Sequence, residues 1–463
     1  MTIEERIRGR KIGVIGMARS GMAAARLAQA LGGQPFVSDS GSETSLAKQI
    51  AELSAHDIPY ETGAHSSRLL ISDYLVVSPG VPLSAAVIQQ AKAQGLPVFS
   101  ELEFASWVCP GKIVAITGSN GKTTTTTLVG ELLAAGKLDT HVCGNIGTPL
   151  ADVVGRMNSN SVAVVEVSSF QLEAIDSFRP HVAVILNLTP DHVDRHGSFE
   201  NYKQAKYRIT ENQRAADFFI TNRDDAETVA DHPGTRAKHI CFSAGARREC
   251  GSWVETNALW TRRIEADERV IACDDIGIKG PHNLQNAAAA VTVAARFGLE
   301  PSIMQRVLRQ FAGVEHRLEP VATVAGVSFI NDSKATNVDS VYYALKSVPT
   351  PLYLICGGRD KNGVFEPLIE AGRGRIKGLI IIGEAREKLF EVLGKHFPAQ
   401  FASSLEAAVE KGFELARPGE TVLLSPGCAS FDMFDNYEHR GRAFKAAVAR
   451  LRNGKTTDES VSS

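Results

Sequence analysis

From Lys11 onward, short apolar runs rich in β-branched residues alternate with stretches whose apolar positions recur at helical spacing. KIGVIG, PFVSD, YLVVSPG and LPVFS read as strands, with a helix through residues 23–31 between the first two. A second series starts at KIVAITG (112–118) and continues through VAVVEVSS (162–169), HVAVILNLT (181–189) and DFFITN (217–222), ending in the helical HNLQNAAAAVTVAARFG. A third holds VSFINDS (327–333), LYLICGG (352–358), GLIIIG (378–383) and TVLLSPG (421–427). Strand and helix in regular alternation predict parallel sheets with crossover helices. Three series predict three α/β domains, residues 1–106, 107–313 and 314–463, the last closing in a polar, frayed tail, NGKTTDESVSS.

Composition agrees and removes some classes of function. A chain of 463 residues exceeds one ordinary core. With 44% hydrophobic and 22% charged residues and a net charge of −2, it has no general attraction to nucleic acid or anionic lipid, so an anionic substrate must be held by local groups. Seven cysteines without a CxxC pair argue against a fully paired disulfide framework and point to a reducing cytoplasm. The N-terminus runs directly into a strand without a signal-type apolar region, and no apolar run reaches ~18 residues, so membrane insertion is not expected.

The sharpest chemistry lies at Thr117-Gly118-Ser119-Asn120-Gly121-Lys122-Thr123-Thr124, a small-residue turn from strand to helix. Backbone N–H groups of such a turn point at phosphate oxygens, a lysine neutralises charge, and a hydroxyl reaches magnesium. Ile116 stands where the usual spacing has its first glycine, so Gly118 is expected to make the turn. A phosphate loop needs an acid at the end of a neighbouring strand, and VAVVEVSS puts Glu166 there. The next strand leads to Asp191 and His192, which are either ligands or, on their own, a turn cap and a surface histidine. Lys203 and Lys206 follow on a helix, where lysines are ordinarily solvated, and chemistry alone does not select Lys206.

Nearer the N-terminus, Gly16-Met17-Ala18-Arg19-Ser20-Gly21 follows a strand and opens a helix, with Asp39 ending the next strand. This suits a nucleotide diphosphate at a helix N-terminus. The same residues leave a nicotinamide cofactor, or a purely structural turn, open.

Taken together, TGSNGKTTT, GNIG, EVSSFQLE, NLTPDHVDRH, the lysine of YKQAKYRI, HNLQN, EHRLE, NDSKATN, GGRDKN and LLSPGCASFDMFDNYEHRG resemble, in order, the motifs of the Mur ligases of peptidoglycan synthesis. SPGVP, FSELEF, SKATN and SPGCASFD favour the D-glutamate-adding member. The resemblance implies a Rossmann-like first domain, a central P-loop ATPase-type sheet and a Rossmann-like third domain. It implies an ATP-dependent ligase, cytoplasmic and monomeric, that activates UDP-N-acetylmuramoyl-L-alanine as an acyl phosphate and captures it with D-glutamate. It further implies two Mg2+ ions, one on Thr123 and Glu166, the other on Glu166, His192 and a carbamate on Lys206, with Lys122 as a catalytic cation. ATP would meet residues 118–124 together with Asn286, Arg317 and Asp332. The UDP-substrate would meet Arg19, Ser20, Asp39, Ser40, Gly80, Asn145 and His192, and D-glutamate Lys334, Thr336, Lys361, Ser430 and Tyr437.

Overall fold

The computed structural model describes residues 3–145, 147–230, 234–263, 266–360 and 363–459. Lys361 lies outside the described residues. The chain divides into two compact units, Met1–Ile276 with Leu284–Gln310, and Gly277–Asn283 with Phe311–Ser463.

The first unit holds two sheets. Strands β1 (Lys11–Ile15), β2 (Gln34–Ser38), β3 (Tyr60–Glu61), β4 (Tyr74–Val77) and β5 (Val98–Ser100) form one, in the order β3-β2-β1-β4-β5 and parallel throughout. Ile12, Val14, Ile15, Leu75 and Val76 are fully buried, as a sheet with helices on both faces requires. Because β2 and β4 leave β1 on opposite sides, a crevice opens beyond its C-terminal end, where Gly16 leads into the helix Arg19–Ala30.

The other sheet consists of β6 (Lys112–Thr117), β7 (Thr140–Gly144), β8 (Val162–Glu166), β9 (Val182–Ile185), β10 (Phe218–Asn222), β11 (Lys238–Phe242), β12 (Ser252–Glu255), β13 (Ala258–Arg263) and β14 (Ala266–Ala272). Its order is β14-β13-β12-β11-β10-β9-β6-β8-β7. The strands from β7 to β12 pair in parallel, and β12, β13 and β14 add an antiparallel edge. That edge turns at Thr256 and Asn257, both left-handed (φ 50° and 52°), the geometry of a tight two-residue hairpin. Cys241 and Cys250 are joined by a disulfide, and Cys109, Cys143, Cys273, Cys356 and Cys428 are free.

The second unit is built on β15 (Glu319–Val324), β16 (Val327–Asn331), β17 (Leu352–Gly357), β18 (Ile376–Ile382), β19 (Ala399–Phe401) and β20 (Thr421–Leu424), ordered β15-β16-β20-β17-β18-β19. Only the β15–β16 pair is antiparallel. Apolar clusters fill both faces of this sheet, one around Leu354 and Ile381, the other around Ile355 and Ile380. Among the described residues no helix is long and apolar enough to cross a membrane.

Candidate active site

Strand register assembles the first constellation. β6 pairs with β8 on one side and β9 on the other, setting Ile116 beside Glu166 and Thr117 beside Ile185. The phosphate-type loop, Glu166 and the segment after β9 therefore leave the sheet at one edge, the C-terminal edge where open parallel sheets take ligands. Gly118 (φ 149°) does make the turn, and Gly121 (φ 82°) starts the helix Lys122–Ala135. A side chain at 121 would have to adopt the left-handed backbone and would place Cβ 2.3 Å from Asn286 Oδ1, so any residue but glycine strains the loop and displaces the Asn286 amide.

Side chains hold the loop from below. Ser119 Oγ donates to Thr189 O at 2.9 Å and lies 2.9 Å from the Tyr202 hydroxyl. Asn120 N donates to Asn187 Oδ1 at 2.8 Å. Thr125 Oγ1 donates to Asn286 Oδ1 at 3.2 Å, tying Asn286 to the loop helix. Lys122 Nζ folds onto the Gly118 and Ser119 carbonyls, 2.7 Å from each. Thr124 is buried beneath the loop.

Glu166, 2% exposed, accepts from Thr123 Oγ1 at 2.7 Å and from Asn145 Nδ2 at 3.0 Å. A hydroxyl and a carboxylate side by side are hard oxygen donors of the kind Mg2+ takes, so these residues fit that ion. His192 sits in the left-handed region (φ 53°), its N–H on Asp191 Oδ1 at 3.0 Å and its ring edge-on to Phe170 at 4.9 Å.

Lys206 is buried here rather than solvated. Its Nζ donates to Gly118 O at 3.0 Å and lies 4.6 Å from the centre of the Tyr202 ring. Burial, and then the nearby Lys122 charge, hold its amine well below the usual lysine range, against the pull of Asp191 and Glu166. A lysine whose amine gives up its proton more easily is a better nucleophile toward carbon dioxide, which fits a carbamate beside Glu166 and Asp191. Lys203, one turn away, is also buried but is held by Glu200 at 2.9 Å and Glu227 at 3.0 Å.

In the first sheet's crevice both Asp39 oxygens accept backbone N–H groups, from Met17 at 2.7 Å and Gly41 at 2.8 Å. Arg19 NH1 donates to Gly147 O at 3.0 Å, reaching the GNIG turn beside Asn145. Ser40 and Gly80 are exposed and Ser20 half-buried at the same rim.

In the second unit, Asp332 is fully buried, accepting from Ser425 Oγ at 2.9 Å and Leu318 N at 3.2 Å, with Arg317 NH1 at 3.8 Å. Burial pushes its carboxyl up to about 6, against the Arg317 charge. Lys334 Nζ meets the Tyr437 hydroxyl at 3.1 Å, and Thr336 N donates to Lys334 O at 2.9 Å. Ser430 is buried in the loop after β20.

Sequence reasoning did not single out Tyr202, Asn187 or Arg440. Tyr202 and Lys206 stand four apart on the helix Phe199–Tyr207, so spacing could have paired them on one face. Arg440 is buried and donates to Ser333 Oγ at 3.0 Å, Ser333 O at 2.8 Å and Cys428 O at 3.2 Å, fastening two loops that only the fold brings together.

Known proteins resemble this chain in sequence and in fold. Three family models match: Mur ligase MurD-like N-terminal domain (residues 10–100), Mur ligase middle domain (116–294) and Mur ligase glutamate ligase domain (316–428). The UDP-N-acetylmuramoylalanine–D-glutamate ligase of Koribacter versatilis is 43% identical over 96% of this chain and 98% of its own. The protein of that name from Chloroherpeton thalassium is 42% identical over 97% and 100%. Among solved structures, the UDP-N-acetylmuramate-alanine ligase MurC of Thermotoga maritima shares the fold with a TM-score of 0.61 at 17% identity, over 96% of this chain and 100% of that one.

Proposed function

Because the chain belongs to the Mur ligase family, we propose that it joins D-glutamate to UDP-N-acetylmuramoyl-L-alanine at the expense of ATP. The observation that carries this reading is the convergence of the GKT loop, the Thr123–Glu166 pair and the buried amine of Lys206 at one sheet edge. An amide does not form from a free carboxylate without activation. The substrate carboxylate attacks the γ-phosphorus, ADP leaves, and the D-glutamate amine then displaces phosphate from the acyl phosphate, releasing a proton.

The approach of a carboxylate to a polyphosphate is repulsive, so fixed positive charge at the reacting oxygens lowers the barrier. Lys122 supplies one such charge from the loop. Two Mg2+ ions, on Thr123 and Glu166 and on Glu166, His192 and a Lys206 carbamate, would supply the rest. Residues 118–124, Asn286, Arg317 and Asp332 are proposed to hold ATP. Arg19, Ser20, Asp39, Ser40, Gly80, Asn145 and His192 would hold the UDP-substrate, and Lys334, Thr336, Lys361, Ser430 and Tyr437 the D-glutamate. The domain divisions after residues 106 and 313 belong to the same proposal, as do action as a monomer and a cytoplasmic setting.

The test is phosphate release from Mg-ATP with UDP-N-acetylmuramoyl-L-alanine, comparing D-glutamate with L-glutamate, L-alanine, meso-diaminopimelate and no acceptor. Stimulation by D-glutamate alone, with a product heavier by one glutamyl residue, is expected; stimulation by another acceptor overturns the substrate assignment. In the same assay Lys206→Ala should be inactive and should recover with short carboxylic acids. Full activity of that variant without them would sink the carbamate.

A further inference from the structure

Arg195 lies outside the ligand set described above, yet it touches both the turn after β4, at the rim of the first sheet's crevice, and Phe170 beside His192. Its NH1 donates to Pro79 O at 2.9 Å and its NH2 to Val81 O at 3.1 Å, so one planar fork grips both carbonyls around Gly80. The turn 78–81 is fixed at its other end by Ser78, whose N–H donates to Ile15 O at 3.0 Å and whose hydroxyl donates to Gly16 O at 3.2 Å. The guanidinium thus closes the open side of a turn already anchored to the first glycine loop.

The opposite face of Arg195 looks into the catalytic edge. Its Cζ stands 3.6 Å from the centre of the Phe170 ring. Phe170 meets the His192 ring edge-on at 4.9 Å and stacks on His196 at 5.3 Å. His196 is held by Ser169 Oγ at 2.9 Å and Glu173 at 3.0 Å, so the half-buried Phe170 ring lies between a fixed imidazole and the His192 ring. His192 itself is held in the left-handed region, a conformation that persists only where its surroundings enforce it.

We infer that Arg195 is a positioning residue that couples the turn 79–81, proposed to cradle the UDP end of the substrate, to the orientation of His192 through Phe170. The inference rests on the proposed function for the identity of the UDP-substrate, and on geometry alone for the coupling. Lysine at 195 keeps the charge but cannot bridge two carbonyls in a plane and cover a ring at the same time. Loss of the fork lowers the fraction of molecules with the turn in place, which weakens substrate binding by that fraction. Loss of the ring contact frees His192, which lowers turnover.

The experiment measures UDP-N-acetylmuramoyl-L-alanine binding by calorimetry and steady-state amide formation for wild type, Arg195→Lys, Phe170→Leu and the double variant. Arg195→Lys is expected to weaken binding about tenfold and lower kcat about tenfold, with KM for D-glutamate within about twofold of wild type. Phe170→Leu should lower kcat by a similar factor with little change in substrate binding. In the double variant the two kcat losses should not multiply, because both act through His192. Binding within twofold of wild type in Arg195→Lys, an unchanged kcat in Phe170→Leu, or losses that multiply would each overturn the inference. If wild type binds the UDP-sugar but does not turn over with D-glutamate, the acceptor assignment fails while the binding ratio still decides the role of Arg195. If wild type does not bind the UDP-sugar, both readings fail.

Discussion

Glu101 and Glu103 stand two residues apart on the short helix Glu101–Ser106, and both are buried. Glu103 accepts from Trp107 Nε1 at 2.6 Å, Ser177 Oγ at 2.6 Å and the N–H groups of Asp176, Ser177 and Phe178 at 2.8–3.0 Å. Among the described residues Glu101 accepts only from Ala151 N, at 2.7 Å, and its Oε2 has no hydrogen-bond partner. Burial accordingly pushes the Glu101 carboxyl from the ordinary 4.5 up to about 7, against the Ala151 hydrogen bond. A carboxyl raised in the fold contributes stability that is complete below pH 4.5 and is lost as pH rises through about 7. Glu101→Gln mimics the protonated form, so it should match wild type in thermal denaturation at pH 4 and exceed it at pH 8 by about 3 kcal/mol or less. Equal stability of the two proteins at pH 8 would show that Glu101 ionises without cost. Such a difference cannot be read from FSELEF, because burial and partners are properties of the fold. The same holds for Lys206 and Lys203, which look alike in the sequence. By contrast, the strand-to-helix turn of TGSNGKTTT was legible, because its small residues and glycines stand where the backbone must turn into a helix.

At the scale of elements, β6, β8 and β9, which carry the phosphate-type loop, Glu166 and the segment to His192, were legible as apolar runs between turn residues, whereas β7 (Thr140–Gly144), which leads to Asn145, is too polar to stand out. β8 and β9 end earlier than the apolar runs suggest: VAVVEVSS leaves the ladder at Glu166 and HVAVILNLT at Ile185, because the backbone beyond turns to present side chains and amides at the sheet edge. The antiparallel edge was not legible. β13 and β14 carry Arg262, Arg263, Asp267 and Glu268, paired across the strands at 2.8 Å and 2.9 Å, so their charges break the apolar alternation while stabilising the edge. The loop element makes its own prediction. Gly121→Ala would force a left-handed alanine, at about 1–3 kcal/mol, and drive its Cβ into Asn286 Oδ1. Binding of a non-hydrolysable ATP analogue, measured by calorimetry, should weaken about tenfold or more, with circular dichroism unchanged. Wild-type affinity in this variant would mean that the loop does not bind phosphate in this conformation.

For the whole molecule, the division into two units has a spectroscopic handle. All three tryptophans, Trp107, Trp253 and Trp260, lie in the first unit. Trp107 packs in an aromatic cluster with Tyr74, Phe99 and Phe104, at 5.6 Å, 5.0 Å and 5.6 Å, and Trp253 stacks on Trp260 at 6.5 Å. Tryptophan fluorescence during unfolding therefore reports on the first unit alone. Every residue proposed to hold the UDP-substrate also lies there, whereas the described residues proposed for D-glutamate, Lys334, Thr336, Ser430 and Tyr437, lie in the second. A ligand that binds only the folded state, at a hundred times its Kd, stabilises by about 2.7 kcal/mol. UDP-N-acetylmuramoyl-L-alanine at that concentration should raise the tryptophan-detected unfolding midpoint accordingly, and D-glutamate alone should leave it in place. A midpoint unmoved by the UDP-substrate would remove that ligand from the first unit. A midpoint raised by D-glutamate alone would mean that the amino acid binds the first unit or that the two units unfold together.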